Sequence, residues 1–208
     1  QHGMKEMYEK QKNVFYYITL GNENYIQPDM PKGVEEGIIK GLYKFKKSKS
    51  NSKIKTHIFA SSGIINHALK AQELLAKDFN IAADIWSVTN YKQLRTDALN
   101  CERWNMLNPT KRTKKSYLQK TLAKEKGSFV AVSDYMKIVP DQISKWVPGG
   151  LFTLGTDGFG RSETREKLRE FFEINEYFIV IAVLYKCAQD KKVGKEVVAE
   201  AIKKYNVG

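Results

Sequence analysis

A glycine-rich segment, residues 155–162, holds the residue types that could most readily do chemistry. It reads Gly-Thr-Asp-Gly-Phe-Gly-Arg-Ser, after a short apolar stretch and before a charged helical one. Such a strand-to-helix turn can bind phosphate through its backbone amides. The segment lacks the GK[ST] ending of a P-loop and the acidic residue of a dinucleotide fingerprint. We therefore favour a sharp turn that presents Phe159 and Arg161 at a domain or subunit surface, with Asp157 or Ser162 as a helix cap.

A polar cluster follows the first apolar run of the chain, residues 14–19. It consists of Asn22, Glu23, Asn24 and Tyr25. Ligands of α/β proteins lie beyond the carboxyl ends of strands, so the cluster could border an active site in a preceding domain. The alternative, which we favour, is a linker anchored by hydrogen bonds from side chains to the backbone.

The remaining reactive residue types form no complete catalytic set. Cys101 lies in Cys-Glu-Arg-Trp-Asn, where no neighbouring histidine could activate it, so we expect Glu102 or Arg103 to form an ion pair and Trp104 to anchor an interface. The three histidines have no metal-ligand spacing, and we expect both cysteines to be free thiols. The sequence contains no Gly-x-Ser-x-Gly, HExxH or Asp-rich metal motif.

The chain is strongly basic. It has 35 Lys and Arg residues against 23 Asp and Glu, a net charge of +12. The lysines gather mainly in residues 40–55 and 111–126, and they greatly outnumber the arginines that read bases and phosphates best. We expect a solvated basic surface. An acidic protein partner is one alternative; nucleic acid is another, against which the lack of any homeodomain, zinc-finger or RNP pattern argues.

Nothing in the sequence predicts a membrane segment or a secretion signal. No apolar stretch approaches the roughly 20 residues that a bilayer crossing needs. The first twelve residues are polar and charged. We expect a cytoplasmic protein.

From residue 54 onward, strands and helices alternate. The apolar patterns predict strands over 54–61, 81–89, 128–133 and 151–154, and helices over 64–79, 91–97, 116–124, 135–147, 163–173 and 195–205. Residues 177–184 fit either a fifth strand or the start of an apolar helix. Before this region, residues 14–19 have strand character, 33–43 favour a short helix and 44–52 a mobile crossover. The alternation predicts an α/β fold with three layers, helices covering both faces of a mostly parallel sheet.

Several segments in order resemble one family, the homodimeric pyruvate dehydrogenases. They are residues 14–19, 22–25, 30–38, 86–89, 101–107, 133–136 and 155–173. The family is similar to transketolase, and the resemblance implies a transketolase-like C-terminal domain with a five-stranded, mainly parallel sheet. It divides the chain into the end of a thiamine-pyrimidine-binding domain (1–20), a linker (21–52) and the C-terminal domain (53–208).

The resemblance also implies cofactors and partners. Relatives use thiamine diphosphate and Mg²⁺, but the motifs that bind them have no counterpart here, so we expect neither cofactor binding nor catalysis by this chain alone. The expected partners are a second identical subunit and the dihydrolipoyl acyltransferase of the complex. The candidate interface or active-site border comprises Asn22, Glu23, Asn24, Tyr25, Asp157, Phe159 and Arg161. The alternatives are a non-enzymatic interaction module of the complex and a basic nucleic-acid-binding domain.

Overall fold

The computed structural model describes residues 1–207, and its centre is a five-stranded sheet. The strands lie in the order β1-β3-β2-β4-β5, and only the β1–β3 pair is antiparallel. This confirms the mostly parallel five-stranded sheet. The strands are Leu42–Lys46 (β1), Lys55–Ala60 (β2), Ala82–Val88 (β3), Ser128–Val132 (β4) and Phe152–Leu154 (β5).

Helices connect and cover the strands. The first helix, His2–Met4, continues as a π-helical turn over Lys5–Glu9. Single 3-10 turns lie at Ser62–Ile64 and Ser144–Trp146. No helix among residues 1–207 combines the length and apolarity that a bilayer crossing requires. The helices are His2–Met4 (α1), Glu35–Lys40 (α2), Ile65–Phe79 (α3), Tyr91–Leu107 (α4), Tyr117–Thr121 (α5), Ile138–Asp141 (α6), Arg165–Phe171 (α7), Glu176–Gln189 (α8) and Lys195–Tyr205 (α9).

The two faces of the sheet pack against different helices. Successive strand side chains point to opposite faces, so Ile58 of β2 joins α3, α8 and α9 in one apolar cluster, while Phe59 joins α4 and α5 in the other. This confirms the three-layer α/β/α architecture. Residues 177–184 belong to α8, and their continuous apolar run reflects a helix buried between the sheet and its neighbouring helices.

The edge strand β1 replaces two predicted segments. The sequence predicts a helix over 33–43 and a mobile crossover over 44–52, but α2 ends at Gly41 and β1 follows at once. Gly41 has a φ of 105°, a conformation that glycine adopts without strain. The lysines at 44 and 46 made β1 resemble a charged linker, so its alternation of apolar and polar residues was not recognised as a strand pattern. β1 lies in the same sheet as β2, and the division of the chain at residues 20 and 52 stays a prediction.

The strand predicted over residues 14–19 is not formed. These residues pair with no strand among residues 1–207, and Phe15 and Tyr17 are 86% and 85% exposed. A β-rich run needs a ladder partner to become a strand. Residues 14–19 are mainly apolar, as the sequence indicates, but the prediction that they form a strand is wrong.

Two helix boundaries also differ from the prediction. The helix predicted over 91–97 is α4, which begins after the Asn90 cap and runs through Trp104 and Asn105 to Leu107 because no glycine or proline interrupts it. The single helix predicted over 135–147 is instead α6 followed by a 3-10 turn, with Pro140 inside α6.

Candidate functional site

The loops after β4 and β5 meet at the carboxyl end of the sheet. The Ser133 amide donates to the Leu154 carbonyl at 3.1 Å, and the Thr156 amide donates to the Tyr135 carbonyl at 2.9 Å. A Cβ on Gly155 would lie 2.4 Å from that same Tyr135 carbonyl oxygen. Gly155 is therefore required because the two loops approach too closely for any side chain.

Helix α7 presents two arginines to the loop at residues 22–25. Arg165 and Arg169 are four positions apart and therefore share a helix face. Arg169 binds Glu23 with two hydrogen bonds, Nη1–Oε1 at 3.1 Å and Nη2–Oε2 at 2.5 Å, and Arg165 donates to Asn22 Oδ1. Arg165 Nη1 also lies 4.0 Å from Glu23 Oε2. We call these four residues the Glu23–arginine cluster.

Electrostatics fix the charge of this cluster. The hydrogen bonds from Arg169 hold the pKa of Glu23 below its usual value, against the opposing effect of partial burial. Nearby Asp134 behaves differently: desolvation raises its pKa, although Arg169 and Arg165 act in the opposite direction. Glu23 is thus the carboxylate that the arginines hold ionised. Asp134 remains exposed, and desolvation by the neighbouring protein is the main cause of its raised pKa.

The two segments singled out from the sequence border one region. A cavity of about 670 Å³ lies between the glycine-rich turn and α7. Since Arg165 and Arg169 line this cavity and also bind Asn22 and Glu23, the structure places the 22–25 loop beside the turn. The cavity is lined by Asp134, Tyr135, Thr156, Gly158, Gly160, Arg161, Arg165, Leu168, Arg169, Phe172 and Ile174.

Individual side chains of the glycine-rich turn differ in what they contact. Asp157 faces Lys137, accepting from its amide at 3.0 Å, with its carboxylate 3.9 Å from Nζ. Phe159 is 93% exposed, and the Arg161 guanidinium lies 5.1 Å from the ring centroid of Phe171. The helix cap is Thr164, so the expectation that Asp157 or Ser162 caps it is wrong.

The remaining members of the 22–25 loop, Asn24 and Tyr25, do not contact the arginines of α7 by hydrogen bonds or ion pairs within residues 1–207. Asn24 is exposed, while the Tyr25 ring packs beside Gly63, where β2 leads into α3. The loop is therefore held chiefly by side-chain ion pairs and hydrogen bonds to α7. Sequence reasoning did not identify Arg165 and Arg169 as its partners, although their four-residue spacing on one helix face was a usable signal.

A second polar group lies at the amino end of the sheet. Among residues 1–207, only His57, Asp84 and Glu125 form a group with potential ligand atoms within 4.8 Å of one another. Lys44 Nζ occupies the space between the carboxylates, 2.8 Å from Asp84 and 2.9 Å from Glu125. Trp86 Nε1 donates to His57 Nδ1 at 3.2 Å, which leaves His57 Nε2 to donate to the Lys126 carbonyl. As arranged, the group has a lysine where a cation would bind.

The segment around Cys101 is structural. Glu102 accepts from Lys145 Nζ at 2.9 Å and from Trp146 Nε1 at 2.7 Å, so its ion-pair partner is Lys145. The Trp104 ring contacts Lys114, whose Nζ lies 4.1 Å from the ring centroid. Desolvation raises the pKa of the Cys101 thiol, which makes it a poor nucleophile at neutral pH.

Two curated relatives match nearly the whole chain. The pyruvate dehydrogenase E1 component of Pseudomonas aeruginosa is 46% identical over 206 residues, and that of Escherichia coli K12 is 44% identical over 207 residues. Each match covers 99% of this chain and 23% of the relative. The chain thus spans about a quarter of the length of these relatives.

The fold has its own match among solved structures. A transketolase variant from Pichia stipitis superposes with a TM-score of 0.53 over 79% of this chain and 20% of that chain, at 18% identity. At this identity the likeness concerns the fold alone. The family described as the transketolase-like TK C-terminal domain matches residues 41–175, from the start of the sheet to the start of α8. The chain therefore belongs to the transketolase-like C-terminal domain family.

Proposed function

We propose that this chain serves as the C-terminal domain of a pyruvate dehydrogenase E1 component and supports the assembly of that enzyme. The observation that carries the proposal is the 46% and 44% identity to two such components over 99% of the chain. In the proposed enzyme, pyruvate is decarboxylated and its acetyl group passes to lipoyl groups. This chain contributes packing surface to that reaction and no catalytic residue.

The proposed assembly surface is the carboxyl end of the sheet. Large apolar side chains are exposed there, and apolar exposure on this scale is typical of interaction sites. They include Tyr135 (59%), Met136 (52%), Ile138 (62%), Phe159 (93%) and Phe171 (57%). We place the remainder of the enzyme and a second identical subunit against this surface. The Glu23–arginine cluster holds the 22–25 loop in place beside this surface.

The proposed enzyme uses thiamine diphosphate together with Mg²⁺, and the carboxylates of these two sites do not fit the metal ion. Mg²⁺ needs free oxygen ligands. Glu23 is committed to Arg169, Asp157 to Lys137, and the carboxylates of Asp84 and Glu125 to Lys44. We therefore assign the cofactor site to other parts of the enzyme.

Partners and location belong to the same proposal. The second partner is the dihydrolipoyl acyltransferase, and the compartment is the cytoplasm. If the basic surface of this chain meets an acidic face of the acyltransferase, their binding should weaken steeply between low and high salt. An affinity that does not change with salt concentration would indicate that the contact is made by another surface.

Calorimetric titration of the chain with thiamine diphosphate and Mg²⁺, beside a pyruvate decarboxylation assay, tests the assignment of catalysis elsewhere. We expect no Mg²⁺-dependent binding of thiamine diphosphate and no turnover, because the carboxylates that could hold Mg²⁺ already have partners. Micromolar binding that requires Mg²⁺ would contradict the proposal. In that case Arg161→Gln, next to the 670 Å³ cavity, and Lys53→Gln, at the amino end of the sheet, would show which end holds the cofactor.

A further inference from the structure

A second, larger cavity lies at the amino end of the sheet, opposite the proposed assembly surface. It has a volume of about 730 Å³, within the range of small-molecule sites. The segment that joins β1 to β2 and the turn before β4 form its walls, together with Lys192 after α8. The cavity lies apart from the glycine-rich turn and from the proposed assembly surface, although most of its lysines belong to the basic stretches 40–55 and 111–126.

Lysines from distant parts of the sequence converge on this cavity. Its lining contains seven lysines and two carboxylates, and both carboxylates bind the same lysine, Lys44. Within residues 1–207, five of the other lysines form no salt bridge: Lys47, Lys53, Lys55, Lys124 and Lys126. Ammonium groups gathered around one concavity repel each other and raise the local concentration of anions.

The wall of the cavity also offers hydroxyl donors in a fixed segment. Ser48 Oγ accepts from the Ser50 amide at 3.1 Å, and Ser50 Oγ accepts from the Ser52 amide at 3.2 Å. Each hydroxyl proton therefore remains free to donate. The Ser48 amide in turn donates to Asp84 at 2.8 Å, which holds the segment against β3. Fixed hydroxyls beside lysines suit phosphate oxygens.

We propose that this cavity binds the polyphosphate group of a small molecule. The lining has a large excess of positive charge, and a compact group with several negative charges matches it better than a single phosphate. Its volume of about 730 Å³ favours a small molecule over a nucleic acid, which would need a basic stripe along an open surface. Ile54 and Ala82 add apolar lining on which an organic part of the ligand could pack.

Calorimetry of the chain with inorganic triphosphate at physiological salt tests this proposal. The pocket variant Lys53→Gln/Lys124→Gln/Lys126→Gln removes three lining charges. Its matched control, Lys92→Gln/Lys111→Gln/Lys115→Gln, removes three exposed lysines elsewhere. We expect one triphosphate per chain, a loss of affinity of at least about tenfold in the pocket variant and little change in the control. ATP as a second probe shows whether an organic part adds affinity to the same site.

Three results would overturn the proposal. The first is the absence of triphosphate binding at physiological salt, and the second is an equal loss in both variants, which would indicate net charge alone. The third is a 20-nucleotide RNA that binds more tightly than triphosphate and loses affinity in the pocket variant. A rise in the melting temperature with triphosphate, abolished only in the pocket variant, provides an independent supporting readout. Neither readout depends on pyruvate chemistry, so this test can fail while the proposed function stands.

Discussion

At the scale of single residues, the side chains that organise the carboxyl end of the sheet are paired across long stretches of sequence. Glu23 and Arg169 are 146 positions apart, and His67 and Glu176 are 109 apart. The sequence marked the loop at 22–25 because polar residues follow an apolar run there. The partner of Glu23 could not be predicted from the sequence, because an ion pair between distant segments produces no local periodic pattern.

Substitution Glu23→Gln should release the 22–25 loop. A glutamine cannot match the charge of the two guanidinium groups, so backbone amides of residues 22–25 should exchange hydrogen faster. The pair is partly exposed, so the free energy of unfolding should fall by less than about 1 kcal/mol. Hydrogen exchange followed by mass spectrometry measures the first effect. The exposed Glu200→Gln serves as control, and equal exchange in both variants would show that Glu23 does not hold the loop.

Glu176 should contribute stability that depends on pH. The hydrogen bond from His67, 2.5 Å long, lowers the pKa of Glu176 from 4.5 to about 2. Because the folded chain prefers the carboxylate, this stabilisation is present above pH 4.5 and is lost as pH falls toward 2. Glu176→Gln should cost about 1–2 kcal/mol at pH 6 and less at pH 3. Urea unfolding at both values measures the difference, and a difference independent of pH would refute this role.

At the scale of elements, the sequence predicts those whose pattern matches their environment. Strands β2, β3 and β4 and helices α3 and α9 lie within a residue or two of their predicted bounds, since each has one buried face or a fully buried run. β1 was missed because its lysines resemble a linker. The strand at 14–19 was wrongly predicted because composition detects apolar residues and cannot detect the absence of a partner strand.

Helix α8 should be the element whose stability is most sensitive to the shortening of a buried side chain. Leu184 is completely buried in the cluster that joins α8 to the sheet, so Leu184→Ala should leave a cavity costing about 2–5 kcal/mol. The matched control is Ile202→Ala in α9, which is 40% exposed and should cost less than about 1 kcal/mol. Chemical denaturation measures both. Equal losses would mean that α8 is not the core helix of this layer.

At the scale of the whole molecule, the two ends of the sheet differ in character. The carboxyl end exposes aromatic and aliphatic side chains around the glycine-rich turn, while lysines surround the amino end. The positions of the glycine-rich turn and of the lysine-rich stretches could be predicted from the sequence. Their separation to opposite ends follows from the direction of the parallel strands, and the convergence of lysines 44–55 with 124–126 needed the folded chain.

Charge reversal at the carboxyl end should weaken the proposed dimer. Arg161 lies beside Phe171 and lines the 670 Å³ cavity, so Arg161→Glu would introduce a carboxylate among exposed apolar residues. In the full-length enzyme we expect at least about tenfold weaker dimerisation, with activity falling in parallel. Sedimentation velocity measures the first and pyruvate turnover the second. The exposed Arg95→Glu is the matched control. Unchanged dimerisation and activity in Arg161→Glu would show that this surface is not the interface.

The most direct test of the account is a chimaera in which this chain replaces the matching 23% of the Escherichia coli E1 component. Its rate of pyruvate decarboxylation should lie within about tenfold of the parent, a loss of no more than about 1.4 kcal/mol of transition-state stabilisation. That result would show that this chain supplies the support that the catalytic parts of such an enzyme need. A chimaera that folds and assembles but does not decarboxylate pyruvate would contradict the account.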